Sequence, residues 1–329
     1  MSLRSLFHSG LTAAALATLA LTSTAAQAEW KPDRPVKLLV GFAPGGSADT
    51  LARLVAEPLA QKLGQPVVVE NVAGAGGNIM AQRLSTSAPD GYTIGVAAAG
   101  SMAITYSMNP KGTKYKPESF QPITMLATQP NVVIVNNHVP AKNIAELKTY
   151  IAANPQASYG IAGIGISNHL IAESMLHRLG VKMEPVAYKG AAPVITDLLG
   201  GHIAMTMDNI TTAAVMAKEG KVKALAVTSA KRAPQLPDVP TLQEQGLKDF
   251  DMPTWQGLFA PAGLPADVAA TYAKALQDVL KMPETKEKMA ALGSEPWVGM
   301  TSAQTAAFLQ KDRKQWAEII QAAKIEPQP

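Results

Sequence analysis

Short apolar runs alternate through most of the chain with longer segments in which apolar residues recur every three or four positions. Runs at 36–41, 66–70 and 92–97 read as strands, and each leads to a helix candidate, opening at Ser47, Gly77 and Ser101. This β-α-β-α order predicts a parallel sheet covered by helices on both faces. Asn131–Val135 reads as a further buried strand, after which Ile144–Ala153 opens a second series with strands at 159–161, 183–186, 203–207 and 223–227. Near Trp255 the pattern changes: 257–260 is strand-like, Pro261, Gly263 and Pro265 close it, and helices over 266–281 and 302–323 follow, the last entered through Thr301 or Ser302. These final helices have no sheet of their own, so the chain is expected to cross back to the first unit, with crossings near 128–131 and 250–255. The predicted fold is α/β: two doubly wound domains, one from 29–128 plus 254–329 and one from 129–253, joined by a hinge. Ligands are expected in the cleft between them, at the carboxyl ends of the strands.

The first 28 residues stand apart. Arg4 gives a basic start, residues 11–21 form an apolar run rich in Ala and Leu, and Ala26-Gln27-Ala28 is an A-x-A site, a pattern that predicts a secretory leader cleaved before Glu29. No twin-arginine pair precedes the apolar run, which favours general secretion. The expected location is therefore periplasmic and soluble. The absence of cysteine excludes disulfides, thiolate metal sites and a lipidated N-terminal Cys. A formal charge of +4, spread singly over 329 residues with few aromatics, gives no basic stripe for nucleic acid.

Four loops at strand ends carry candidate chemistry. In Phe42-Ala43-Pro44-Gly45-Gly46-Ser47 an apolar strand turns through paired glycines into a helix, so Gly45 and Gly46 permit a tight turn, Ser47 is a candidate N-cap, and the free N–H groups of the first turn favour an anion. The plain alternative is a strand-to-helix turn in which Ser47 and Asp49 only cap. The second loop, 97–101, ends in Gly100 and Ser101, small residues suited equally to ligand approach and to packing. The third reads Gly163-Ile164-Gly165-Ile166-Ser167-Asn168-His169 and again enters a helix; its dipole would oppose that of the first across the cleft. His169 suits a hydrogen-bonded structural role at least as well as a ligand contact. The fourth group is Tyr188, Lys189, Gly190 and Ala191 with Asp208 and Asn209, where Lys189 and Asp208 could meet a ligand or neutralise each other.

Enzymatic signatures are thin. There is no G-x-S-x-G elbow, no GxxxxGK[ST] loop, and Gly74-Ala75-Gly76-Gly77 lacks the spacing of a dinucleotide fingerprint. His138, His169, His177 and His202 form no H-x-x-x-H pair, so no metal and no cofactor are expected. A hydrolase built on Ser47 or Ser167 would have no supporting motif.

The order FAPGGSAD (42–49), QPVVVEN-x-x-GAGGN (65–78), APDGYT (88–93), YKG-x-x-P with TDLLGG (188–201), DN (208–209), ALAVTSAKR (224–232) with LPDVPT (236–241), and GLFAPAGLP (257–265) resembles the Bug-type receptors of tripartite tricarboxylate transporters. The resemblance spans nearly all of the chain beyond the leader. It implies a non-enzymatic, periplasmic-binding-protein-like receptor that closes on a small organic acid, a task for which a monomer is sufficient. The acid would be a di- or tricarboxylate, an acidic amino acid or an aromatic acid, handed to one large and one small integral-membrane subunit. It also implies that one carboxylate is held by backbone groups, hydroxyls and water from 42–49 and 163–168, neither of which contains Arg or Lys. The expected site comprises Phe42, Gly45, Gly46, Ser47, Gly100, Ser101, Gly163, Ile164, Ser167, Asn168, His169, Tyr188, Gly190, Ala191, Asp208 and Trp255. Departures from the family pattern at Ile164, Ile166, Gln256 and Ile210-Thr211-Thr212 would suit a ligand with a partly apolar or amide-bearing tail. A secreted hydrolase and a ligand-sensing domain for a signalling partner are the competing readings.

Overall fold

A computed structural model describes residues 30–188 and 190–327; the expected leader and Lys189 lie outside the described residues. In chain order the strands are β1 (Val36–Val40), β2 (Val67–Asn71), β3 (Thr93–Ala98), β4 (Phe120–Gln129), β5 (Asn131–Val135), β6 (Ser158–Ile161), β7 (Glu184–Ala187), β8 (Met205–Asn209), β9 (Lys223–Val227), β10 (Thr254–Pro261) and β11 (Glu295–Pro296). The α-helices are α1 (Ser47–Leu63), α2 (Asn78–Ser85), α3 (Thr105–Met108), α4 (Ile144–Ala153), α5 (Ser167–Leu179), α6 (Ala191–Gly200), α7 (Ile210–Lys218), α8 (Ala266–Lys281), α9 (Pro283–Ala291) and α10 (Ser302–Ala322).

Two sheets result, ordered β11-β4-β10-β3-β1-β2 and β7-β6-β8-β5-β9. They belong to one compact unit. Between them the chain passes through Pro130, the single residue separating β4 from β5, and returns through 228–253. Where the sequence predicts parallel sheets, both are mixed: β10 runs antiparallel to β3 and β4, and β5 antiparallel to β8 and β9. The reason lies in the crossings, since a strand arriving from the other sheet, β5 or β10, starts at the shared end where its neighbours finish and so runs against them. Consequently the carboxyl ends of β1, β3, β6 and β8 and the amino ends of β5 and β10 all meet at that end.

β1 is apolar on both faces because helices cover both, with Leu38, Leu39 and Val40 fully buried. α1 buries a stripe of Leu51, Ala52, Val55 and Leu59 against this sheet and ends at Gly64, whose left-handed φ of 74° lets its N–H reach the Ala60 carbonyl. Of the two N-cap candidates for α10, Thr301 takes the position, and it forms a capping box with Gln304. β4 escapes sequence reading because Pro122 interrupts it. It is tolerated because β4 has only the two-residue β11 on its other side, and Pro122 sits where the β10 register slips. One buried cluster runs from Leu39 and Met80 through Phe259, Trp255 and Trp316 to Val133, Leu170 and Met175, so a shared core passes from one sheet to the other.

Candidate functional site

The two glycine-bearing loops deliver helix starts to the cleft end, but not with the caps the sequence suggests. Gly46, φ −77° and ψ 167°, occupies the N-cap of α1, and no side chain caps it. Ser47 is instead the first helical residue, and its Oγ donates to Gln129 Oε1. At α5 the N-cap is Ile166, again without a side-chain cap, and Ser167 Oγ meets only its neighbour Asn168, at 3.4 Å from Oδ1. Both helices therefore present first-turn N–H groups that no side chain satisfies, the arrangement that binds anions. Asn168 Nδ2 donates to the Met207 carbonyl at 3.1 Å and fixes the start of α5 over the end of β8.

Asp49 stabilises the first loop rather than facing the seat. Its carboxylate accepts from Gly45 N–H at 2.9 Å, from Arg53 Nε at 3.0 Å and from Asn71 Nδ2 at 2.8 Å. Burial would raise its pKa, but these three donors together hold it below the ordinary carboxylate value. Asn71 also donates to the Phe42 carbonyl at 2.9 Å, and Gly45 needs its left-handed φ of 84° to aim its N–H back at Asp49. Thus the Gly45 N–H is committed within the loop.

The loop 74–77, a broken fingerprint in the sequence, packs beside the candidate site. Four successive residues, Gly74, Ala75, Gly76 and Gly77, take positive φ, and the loop lies against Gly41, Ser101 and Ile166. A Cβ on Gly41 would stand 2.9 Å from Gly77 Cα, backbone against backbone, and one on Gly76 would stand 2.8 Å from Ile166 Cγ2. The available signal was the density of glycine just before a helix. We expect Gly41→Ala to cost about 1–3 kcal/mol by overpacking and to weaken anion binding, since the loop must retreat. Urea unfolding and titration of the variant check this; a fully stable variant with unchanged binding contradicts the contact.

Gly100 and Ser101 begin a π-helical turn, Gly100–Ile104, at the end of β3. Ser101 is buried; its Oγ lies 3.4 Å from the Ala98 carbonyl and its own carbonyl accepts from Tyr115 OH at 3.0 Å. Ile166 bridges the sheets: its Cα and Cγ2 lie within 3.8 Å of the position a Cβ on Gly100 would take, and Cγ2 lies 3.6 Å from that of Gly163. Ile164, by contrast, is 48% exposed. Gly165 turns with φ 74° and donates its N–H to His169 Nδ1 at 3.2 Å, while burial lowers the His169 pKa to about 4, keeping it a neutral acceptor.

Several expected residues are occupied elsewhere. Tyr188 OH donates to Asp197 at 2.6 Å, and burial with the adjacent Asp197 carboxylate pushes its pKa up to about 12. Gly190, φ 105°, caps α6 and donates to the Ala162 carbonyl, and Ala191 is exposed at the start of that helix. Asp208 is buried; burial raises its pKa, partly offset by the Thr212 hydroxyl and Asn209 N–H it accepts from. Trp255 belongs to the core: its Nε1 donates to Asp312 at 3.1 Å and its ring stands edge-on to Phe308. Two surface cavities, of about 210 and 280 Å³, lie beside Tyr106 and Arg313 and between α5 and α10. None of the expected ligand residues lines either one.

Gln129, which sequence reading passed over, is the junction of the site. Fully buried at the end of β4, it accepts from Ser47, and its Nε2 donates to Thr211 Oγ1 at 3.0 Å and to Ser294 Oγ at 2.5 Å. Its carbonyl accepts from Thr254 Oγ1 at 3.2 Å. One residue, through its side-chain amide and its main-chain carbonyl, thereby ties the start of α1 to the start of α7, the two chain crossings and the segment after α9.

Two sheets whose strand ends and helix starts converge across a pair of crossings form an α/β fold with the glycine-bearing loops gathered at one shared end. The sequence profile described as the tripartite tricarboxylate transporter family receptor matches residues 51–325. Among solved structures, the periplasmic binding protein BugD is 39% identical, with a TM-score of 0.84, covering 90% of this chain and 100% of that one. A protein of R. palustris with adipate is 31% identical over 90% of this chain and 99% of that one, TM-score 0.86. MatC from Rhodopseudomonas palustris with bound malate is 31% identical over 88% and 99%, TM-score 0.82. The chain belongs to the tripartite tricarboxylate transporter receptor family, a family of periplasmic solute-binding proteins.

Proposed function

We propose that the chain is a periplasmic receptor that binds one small carboxylate between its two sheets, without turnover, and delivers it to the membrane subunits of a tripartite tricarboxylate-type transporter. The observation that carries this reading is the pair of helix starts, α1 and α5, that reach the cleft end from different sheets with no capping side chain. A carboxylate held by such N–H groups and by bridging water needs no basic partner. The malate and adipate found with related structures point to the same ligand class.

In this reading the lobes are 29–128 with 254–329, and 129–253, flexing at 128–131 and 250–255. Ile166 moves with the second lobe, and its packing on Gly76 and Gly100 supports a closing motion. Ser101 and Ser167 donate to the ligand. Ser47 has its hydroxyl proton on Gln129, so the α1 N–H groups take the carboxylate there. The hydrolase alternative loses ground because His169 Nδ1, the acceptor a general base would need, is taken by the Gly165 N–H.

Thermal unfolding with di-, tri- and aromatic carboxylates and acidic amino acids tests the reading. A true ligand at 100 times its Kd adds about 2.7 kcal/mol by mass action, a rise of several degrees in Tm. Indifference to every acid would overturn it.

A further inference from the structure

Buried polar atoms in folded proteins are nearly always hydrogen-bonded. At the cleft end three are not: Asn131 Nδ2, Asn131 Oδ1 and Gln256 Oε1. Their residues are 0% and 5% exposed, so bulk solvent does not satisfy them.

The strand registers place both residues near the cleft ends of their strands. Gln256 stands opposite Ala98 in the β10–β3 ladder, and the Ala98 carbonyl is the one Ser101 Oγ approaches. Along β10 it shares a face with Thr254, which bonds to the Gln129 carbonyl, whereas Trp255 between them turns to the opposite face and Asp312. Gln256 thus lies between the Ser101 turn and the Ser47–Gln129 pair. Asn131 opens β5 opposite Asn209 and shares its face with Val133, whose partner Met207 carries the carbonyl that receives Asn168. The start of α5 therefore stands over the end of the ladder that Asn131 occupies. Each sheet thus carries, near its cleft end, a buried side-chain amide with an unpartnered oxygen.

The chemistry of the open atoms is informative. Helix N–H groups supply donors for a carboxylate, while Asn131 Oδ1 and Gln256 Oε1 are acceptors, which repel a carboxylate unless a donor stands between. Resting on the receptor reading above, we propose that Asn131 and Gln256 are specificity-determining residues of the cleft, selecting an acid that carries a hydroxyl or ammonium group over the bare acid of the same length. A site built to hydrogen-bond such a group discriminates strongly, because the bare analogue leaves its buried polar atoms unpaired.

Calorimetric titration with acids that differ only in that group decides the matter: succinate against malate and aspartate, and glutarate against 2-hydroxyglutarate and glutamate. In the length class that binds, a donor-bearing acid binds at least tenfold more tightly than the bare one. Gln256→Leu and Asn131→Leu each reduce that ratio fivefold or more by weakening the donor-bearing acid, while the bare acid keeps its affinity. Equal affinities in the wild-type protein, or an unchanged ratio in both folded variants, would overturn the inference and leave the receptor standing. Should a variant fail to fold, the wild-type ratio alone decides. If none of these acids binds but citrate or an aromatic acid does, the inference fails and the receptor survives. If no acid of any class binds, both fail.

Discussion

Replacing Asp312 by asparagine raises the stability of the folded protein at pH 7 by about 2–3 kcal/mol. Burial pushes the Asp312 pKa up to about 6, and the indole N–H bonds from Trp255 and Trp316, with the charge of Arg313, offset only part of that rise. A folded-state pKa above the unfolded value of 3.8 means that the native protein favours the neutral acid. As pH rises from 3.8 through 6, the unfolded chain ionises freely and the native state does so at a cost, so stability is lost across that window. Asparagine keeps an oxygen for both indoles and never ionises. Urea unfolding at pH 7 and pH 4 checks this: the gain should be present at pH 7 and shrink towards zero at pH 4. Destabilisation at both pH values would show that the indoles require the charge. Asp312→Leu, which strands both buried N–H groups, should destabilise at every pH.

His169 produces the opposite slope. Its folded pKa of about 4 lies below the ordinary value of 6.5, so the unfolded chain takes up a proton that the native protein refuses. Its contribution is complete above pH 6.5 and is lost as pH falls towards 4, amounting to about 3 kcal/mol at 1.36 kcal/mol per unit. His169→Asn, whose Oδ1 can take the Gly165 N–H in place of Nδ1, should flatten that slope. Unfolding free energies of both proteins at half-unit steps between pH 4 and 7 measure the difference, and parallel curves would remove His169 from the account. Protonation also takes away the acceptor that shapes 163–167, so ligand affinity should decline with the same pH dependence. Asp312 and His169 pull in opposite directions between pH 4 and 6, so their contributions to the wild-type profile partly cancel there.

The strand-loop-helix units at Ser47 and Ser167 were legible because a continuous apolar run ending in glycine and followed by helical periodicity has one structural meaning. Their caps were not, because serine before a helix has two uses. Here Gly46 and Ile166 take the cap positions, while Ser47 reaches a partner 82 residues away. Gln129 was invisible for the same reason, with Ser294 lying 165 residues along the chain. Trp255 at a chain crossing reads as a ligand contact, but strand alternation turns it to Asp312 and leaves its neighbour Gln256 facing the other way. Local pattern fixes which loops exist. Which side chain of a loop faces the cleft depends on registers set by distant strands.

The place of β10 between β3 and β4 has a consequence for the time course of folding. The first sheet lacks an inner strand until residue 261 has joined it, by which point every strand of the second sheet has already been made. Its pairings span more than 120 residues, as between Thr254 and Gln129, and such distant contacts form slowly because loop-closure entropy must be met first. A chain emerging in order therefore cannot complete its first sheet until residue 261 is available, late in synthesis, although the whole of the second sheet precedes it.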